Sequence, residues 1–229
     1  MKQKTVILTF DDACITHRDL VAPTLKKFGF GGTFFISMPQ NWLTEAPEAY
    51  LNWDDIAGLA HQGFDIGNHT MNHAFLPELN DEECRKELDL LNKKFAEYGI
   101  PRPVSFAYPG GPYAANAVKA LQECGLKYAR TTEPGLWEPG QSDPMRLPCF
   151  VITEEHKANF QEAVKLTSGN ANAAAIILYH GIPDLHHPWC NTSETTFLEQ
   201  MEFLADNGFR VLSMRDFGAM QYPQTDRYE

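Results

Sequence analysis

The run Thr5-Val6-Ile7-Leu8-Thr9-Phe10 is β-branched or apolar at every position, with no alternation between polar and apolar residues. A strand of that kind buries both of its faces, as strands do in a parallel sheet covered by helices. The rest of the chain supplies such helices. Leu20, Val21, Thr24, Leu25 and Phe28 share one face of a helix over 18–28, which Gly29 stops. Leu88, Leu91 and Phe95 repeat the pattern over 82–98, closed by Gly99-Ile100-Pro101. Further helices are expected over 114–124, 155–166 and 197–207, and strands over 104–108, 128–131, 146–152, 174–179 and 209–212. Pro and Gly between 133 and 144 mark a loop. Such alternation, without internal repeats, predicts an α/β barrel. A chain of 229 residues, 43% of them hydrophobic, suits one core in a single domain spanning 1–229.

Asp11 and Asp12 leave the C-terminal end of that first strand, the edge where parallel α/β architectures collect ligands and catalytic groups. Two adjacent carboxylates repel each other and are costly to desolvate, so their roles must be divided. A divalent cation held by one of them divides them. His69 and His73 stand four apart, a spacing that puts both rings on one face of a helical turn and lets neutral imidazoles grip one ion. Two histidines and one carboxylate leave positions open for water and substrate.

Thr9-Phe10-Asp11-Asp12 resembles the first motif of the polysaccharide deacetylase family, the NodB-type family 4 carbohydrate esterases, and His69-Thr70-Met71-Asn72-His73 with Leu76 resembles its second. Gly32-Thr33-Phe34-Phe35-Ile36 looks like the second strand, and Trp53-Asp54-Asp55-Ile56 through Gly67 like the helix and strand that lead into the histidines. Phe106-Ala107-Tyr108-Pro109-Gly110-Gly111 is similar to the third motif and Leu178-Tyr179-His180 to the fifth. The resemblance implies a distorted (β/α) barrel with about seven parallel strands. It also implies a metal-dependent hydrolase that removes acetyl groups from N-acetylated amino sugars or polysaccharides. Asp11 is then the general base, Asp12, His69 and His73 the metal ligands, and His180 the acid that protonates the leaving group. Zn2+ is the expected ion, with Co2+, Ni2+ or Fe2+ as substitutes.

The chain departs from the family pattern at three places. The arginine that orients the base in many members is Ala107 here, and Arg146 is the candidate to replace it from the next strand. The residue after Pro109 is Gly110 rather than an aromatic, which leaves its backbone N–H to face an oxyanion. The residue after His180 is Gly181 rather than Asp. Tyr108 and Tyr113 flank the third motif and are expected to shape the acetyl pocket. Trp42, Trp137 and Trp189 fall in expected loops, where packing against the barrel rim is the commoner role and a ring, Trp189 in particular, can stack on a sugar; Trp53 reads as structural. His186-His187 ahead of Pro188-Trp189 reads as a solvated loop. The five cysteines are scattered without a Cys-x-x-Cys pair and are expected as free thiols, Cys14 lying beside the site.

A net charge of −11 argues against nucleic acid and anionic membranes as partners and suits an acetylated carbohydrate or a small amide. No apolar run is long enough to span a bilayer and no basic-then-apolar leader opens the chain, so a cytoplasmic protein is expected, or an exported one if a leader precedes this sequence. Three functions stay open on these residues: N-deacetylation, removal of an O-acetyl group or opening of a cyclic amide, and a catalytically idle barrel that binds carbohydrate. Oligomeric state is not legible.

Overall fold

The structure, a computed structural model, describes residues 4–170 and 172–222. Nine strands form one sheet: β1 Thr5–Phe10, β2 Thr33–Ile36, β3 Asp65–Asn68, β4 Ser105–Ala107, β5 Tyr128–Arg130, β6 Leu136–Trp137, β7 Phe150–Val151, β8 Ala174–Tyr179 and β9 Arg210–Leu212. The helices are α1 Ala22–Phe28, entered through a π-helical turn His17–Val21, then α2 Gln40–Glu45, α3 Trp53–His61, α4 Asp81–Glu97, α5 Ala115–Glu123, α6 Ala158–Gly169, α7 Glu194–Asp206 and α8 Met214–Gln221.

A parallel path runs β5-β4-β3-β2-β1-β8-β7. The same segment that ends in β7 also reaches β5. Leu147 forms a parallel bridge with Arg130, its N–H donates to Ala129 O (2.8 Å) and its carbonyl accepts from Thr131 N (2.8 Å). The segment 144–151 therefore joins both ends of the path, and the sheet curls into the distorted barrel expected of the sequence. Pro148, which has no N–H to donate, interrupts the strand expected over 146–152 between its two pairings. β9 lies against the first half of β1, and β6 runs antiparallel to β8.

The doubly buried reading of β1 has a direct structural counterpart. Val6, Leu8 and Phe10 pack outward with Val21, Leu25, Phe197 and Leu204 under the helices. Ile7 points the other way, into a second core with Phe35, Trp137, Ile176, Leu178 and Met214. Each such side chain contributes roughly 1.5–3 kcal/mol on burial. Gly29 closes α1 in the left-handed region, and capping boxes of Asn52 with Asp55 and Asn80 with Glu83 start α3 and α4.

Two expectations differ from the structure. The stretch 133–144 is not all loop: β6 lies within it, and Trp137 is fully buried in the inner core, so it is not a rim residue. Trp42 sits on α2, a helix with no buried residue and therefore no apolar periodicity to announce it. No helix among the described residues is long and apolar enough to cross a membrane.

Candidate metal centre and active site

The turn after β1 is pinned between its two neighbours: Asp11 N–H donates to Tyr179 O on β8 (3.0 Å) and Asp12 N–H to Phe35 O on β2 (3.1 Å). The chain then turns sharply, with Asp12 (φ 73) and Ala13 (φ 50) both in the left-handed region. Non-glycine residues hold that conformation at a cost of about 1–3 kcal/mol each when their surroundings fix it. The result gives the two adjacent carboxylates different neighbours: both come within 3.5 Å of His69 Nε2, but Asp11 also meets Arg130 and Asp12 also meets His73.

The histidine pair does not lie on a helix. Residues 69–74 form a loop after β3, with Thr70 (φ 63) and His73 (φ 50) left-handed. Ser37 Oγ lies 2.6 Å from His69 O and 2.9 Å from Thr70 O, and Asn68 Oδ1 accepts from Thr70 N (2.9 Å). Thr70 Oγ1 accepts from Ala74 N (2.8 Å), and Glu87 of α4 accepts from Asn72 N (2.8 Å). These bonds replace the helical ladder that the four-residue spacing suggested.

His69 Nδ1 lies 2.8 Å from Ala107 O, and a carbonyl only accepts, so Nδ1 carries the proton and Nε2 is left with its lone pair. That Nε2 is 3.5 Å from Asp12 Oδ1, and His73 Nε2 is 3.6 Å from the same oxygen. Asp12 Oδ1 is buried without a hydrogen-bond partner among the described residues, and ligand atoms of Asp12, His69 and His73 lie within 4.8 Å of one another. A buried orphan oxygen facing an imidazole lone pair is the arrangement a cation satisfies. Burial pushes the His69 imidazolium down to about 3 and lowers that of His73, which favours the neutral rings that a metal ion would need. Burial, with Asp11 adding to it, raises the Asp12 carboxyl to about 6.

Asp11 keeps its charge by another route. Arg130, fully buried at the end of β5, donates through Nη2 to both carboxylate oxygens, and its guanidinium lies 5.1 Å from the centre of the Phe35 ring. Burial drives the Asp11 carboxyl up, but the Arg130 charge, helped by His69 and His180, outweighs it and sets it at about 2. Arg146 does not take this role. It lies on the surface, 3.4 Å from Asp143 Oδ2 and stacked on Tyr113 at 4.7 Å. The reason is register: 144–147 pairs with β5 so that Arg130, one strand earlier, is the arginine at the inner end.

A cavity of about 300 Å³ opens over these groups and is also lined by Trp42, Tyr108, Gly110, His180, His187 and Trp189. His180, after β8, has Nε2 3.9 Å from Asp12 Oδ2, and its backbone carbonyl accepts from Nε2 of the buried His17 (3.1 Å). Gly110 sits at φ 70 beside the exposed Phe75. The Tyr108 hydroxyl is already engaged, donating to Met145 O (2.9 Å), so the residue serves as wall rather than donor. Trp189 is 72% exposed at the mouth. Trp42 stacks on Tyr50 and stands 5.3 Å from the His73 ring. Sequence reasoning missed Arg130 and read His187 as part of a solvated loop, whereas its ring is 21% exposed and lines the cavity; His17, outside the cavity, was not singled out either. A buried strand ending in an arginine, as Tyr128-Ala129-Arg130 does, was the available signal for the first.

Comparison with known proteins bears on the family and the fold. Residues 1–129 match the polysaccharide deacetylase family profile. The chain is 32% identical over 127 residues to the peptidoglycan-N-acetylglucosamine deacetylase of Bacillus cereus, covering 55% of each. It spans about half the length of the curated relatives it matches. Among solved structures, the family 4 carbohydrate esterase of Streptomyces lividans in complex with acetate superposes with a TM-score of 0.60 at 17% identity, over 92% of this chain and 93% of that one. A family 4 pseudoenzyme from Bacillus anthracis superposes with a TM-score of 0.61 at 18% identity, over 94% and 65%, so the fold alone carries no activity. The matched profile spans the strand, the aspartate turn and the histidine loop that build the site, and on that basis the chain belongs to the polysaccharide deacetylase family.

Proposed function

We propose that the protein is a metal-dependent hydrolase that releases acetate from an N-acetylated amino sugar or its polymer. The observation that carries this reading is the unpartnered, buried Asp12 Oδ1 facing His69 Nε2 and His73 Nε2, beside a second carboxylate held by Arg130. Two nitrogens and one oxygen suit Zn2+, or Co2+, Ni2+ or Fe2+ in its place. Such an ion, when bound, supplies positive charge that acidifies water and polarises a carbonyl.

The chain's own residues divide the remaining work. Asp11, kept ionised and aimed by Arg130, takes the proton of the attacking water. Gly110, without a side chain at the cavity wall, presents backbone to the developing oxyanion, where one donor is worth about 3–4 kcal/mol of barrier. Trp42 and Trp189 offer aromatic faces to a sugar ring. The imidazoles of His180 and His187 line the side from which a leaving nitrogen must be protonated. The exposed aromatic mouth supports a carbohydrate over a small cyclic amide.

Acetate release by metal-loaded protein from N-acetylated and O-acetylated sugars, oligosaccharides and cyclic amides tests the reading, together with metal analysis. One equivalent of metal that disappears in His69→Ala and His73→Ala is expected, with acetate from the N-acetyl substrates. Full metal content without acetate from any substrate would support the idle barrel instead. Asp11→Asn should retain the metal and lose turnover, since the amide copies the shape but accepts no proton at neutral pH.

A further inference from the structure

We propose that His187, held by the buried Asp184, donates the proton to the leaving group; the assignment rests on the hydrolase reading above and moves the acid from His180 to a residue outside the family's motifs. A donor in a cavity must have one ring nitrogen fixed so that the other faces the substrate. His180 lacks that fixture. Its Nδ1 is buried without a partner among the described residues, and its Nε2 has Asp12 Oδ2, an oxygen of the candidate metal set, at 3.9 Å.

His187 has it. Its Nδ1 is 3.3 Å from Asp184 Oδ2, and a carboxylate only accepts, so Nδ1 carries the hydrogen and Nε2 is the working nitrogen. Asp184 is itself fixed: Oδ1 accepts from the N–H groups of His186 (3.1 Å) and His187 (2.8 Å), and its own N–H donates to Asn191 Oδ1 (2.8 Å). A Cβ at Gly181 would stand 2.7 Å from Asp184 Cβ, so the side-chain-free position after His180 is what admits Asp184. Cys14 Sγ lies 3.9 Å from Asp184 Oδ2 and 3.8 Å from Asp11 O, which places the pair one thiol away from the aspartate turn. The His187 ring lines the catalytic cavity between Trp42 and Trp189, at 5.8 and 5.3 Å. Its Nε2 has only a long contact, 3.4 Å to the Tyr50 hydroxyl, which a substrate nitrogen can displace.

In the step assigned, water bonds to the acyl carbon and gives its proton to Asp11. The C–N bond then breaks with its electron pair going to nitrogen, and that nitrogen takes the proton from His187 Nε2. His187 is left neutral with Nδ1–H still on Asp184, and solvent returns both groups to their starting protonation.

Leaving groups that differ in their need for a proton provide the test. Wild type, His187→Gln and His180→Gln are assayed on 4-nitrophenyl acetate, ethyl acetate and N,N′-diacetylchitobiose, with metal content measured in parallel. Nitrophenolate departs unprotonated, whereas an amine or ethoxide does not. His187→Gln should lose at least about 100-fold on the poor leaving groups and no more than about threefold on the nitrophenyl ester, with its metal retained. 15N-histidine spectra should show a protonated Nδ1 at His187 that shifts in Asp184→Asn. An equal loss on all substrates, no loss, or the selective pattern in His180→Gln would overturn the proposal. A wild type that releases acetate from none of the probes overturns the hydrolase reading itself, and this assignment with it.

Discussion

A carboxylate shut away from water keeps its charge only against a partner, and Arg130 is that partner for Asp11. Arg130→Met should cost about 3–5 kcal/mol in denaturant unfolding, because it strands a buried anion. The depressed Asp11 carboxyl stabilises the fold above its unfolded value of 3.8, and this is lost as pH falls toward about 2. Without Arg130 the carboxyl rises, so the acid limb of any activity profile moves upward. Arg146→Ala, at an exposed pair, should change stability by less than about 1 kcal/mol and leave the profile where it was. Equal effects of the two substitutions would refute the assignment. The candidate metal trio and Asp11 stand out in the sequence because each lies in a local run of distinctive residues. Arg130 was not, because a strand's own sequence does not say which strand end faces it across the barrel. His17 was equally hidden, a lone buried histidine whose one ring partner is the His180 carbonyl. Burial lowers its imidazolium to about 4, so it folds neutral. The stability this gives is complete above about 6.5 and lost as pH falls through the interval down to about 4, on the order of 3 kcal/mol in all. The pH 7 minus pH 4.5 difference in unfolding free energy should therefore be smaller in His17→Gln than in wild type; an unchanged difference would show that His17 is not the group titrating.

At the scale of elements, the histidine loop shows what a spacing leaves undecided. Residues i and i+4 come together on a helix, but they also come together where a loop turns twice through the left-handed region, as at Thr70 and His73. The sequence carried the pairing of the rings without the backbone that pairs them. Ser37, at the end of β2, decides the outcome by reaching both the His69 and Thr70 carbonyls with one hydroxyl. Ser37→Ala should remove the single hydroxyl hydrogen that those two buried carbonyls share. It should lower metal affinity about 10–100-fold, as loss of outer support for a ligand does, with a stability loss of about 1–3 kcal/mol. Isothermal titration of metal-free protein reads the affinity. Wild-type affinity in a destabilised variant would mean that the loop is held by Asn68 and Glu87 alone. The missed helices have a related cause. α2 buries nothing, so it leaves no periodic trace, while α8 follows β9 after a single residue and was absorbed into the chain end.

For the whole molecule, the alternation of strands and helices made the barrel legible, but not its closure, because Pro148 splits the last parallel segment between β5 and β8. Strands β1 and β3 carry the consequence for function. Asp12 follows β1 and His69 follows β3, with β2 between them, so a cation bound to this set ties β1 to β3 across β2 at their C-terminal ends. An ion that binds only the folded chain stabilises it in proportion to the logarithm of its concentration, by about 2.7 kcal/mol at one hundred times its dissociation constant. For a chain of this size that is roughly 5–10 °C in Tm. Differential scanning calorimetry of metal-stripped protein should show such a rise on adding Zn2+, reversed by a chelator. His73→Ala should melt close to the metal-stripped wild type and respond weakly, since His73 is a half-buried loop residue whose main partner is the candidate metal site rather than the core. A rise of equal size in His73→Ala would place the stabilising ion somewhere other than the Asp12, His69 and His73 set, and would take the metal-dependent reading down with it.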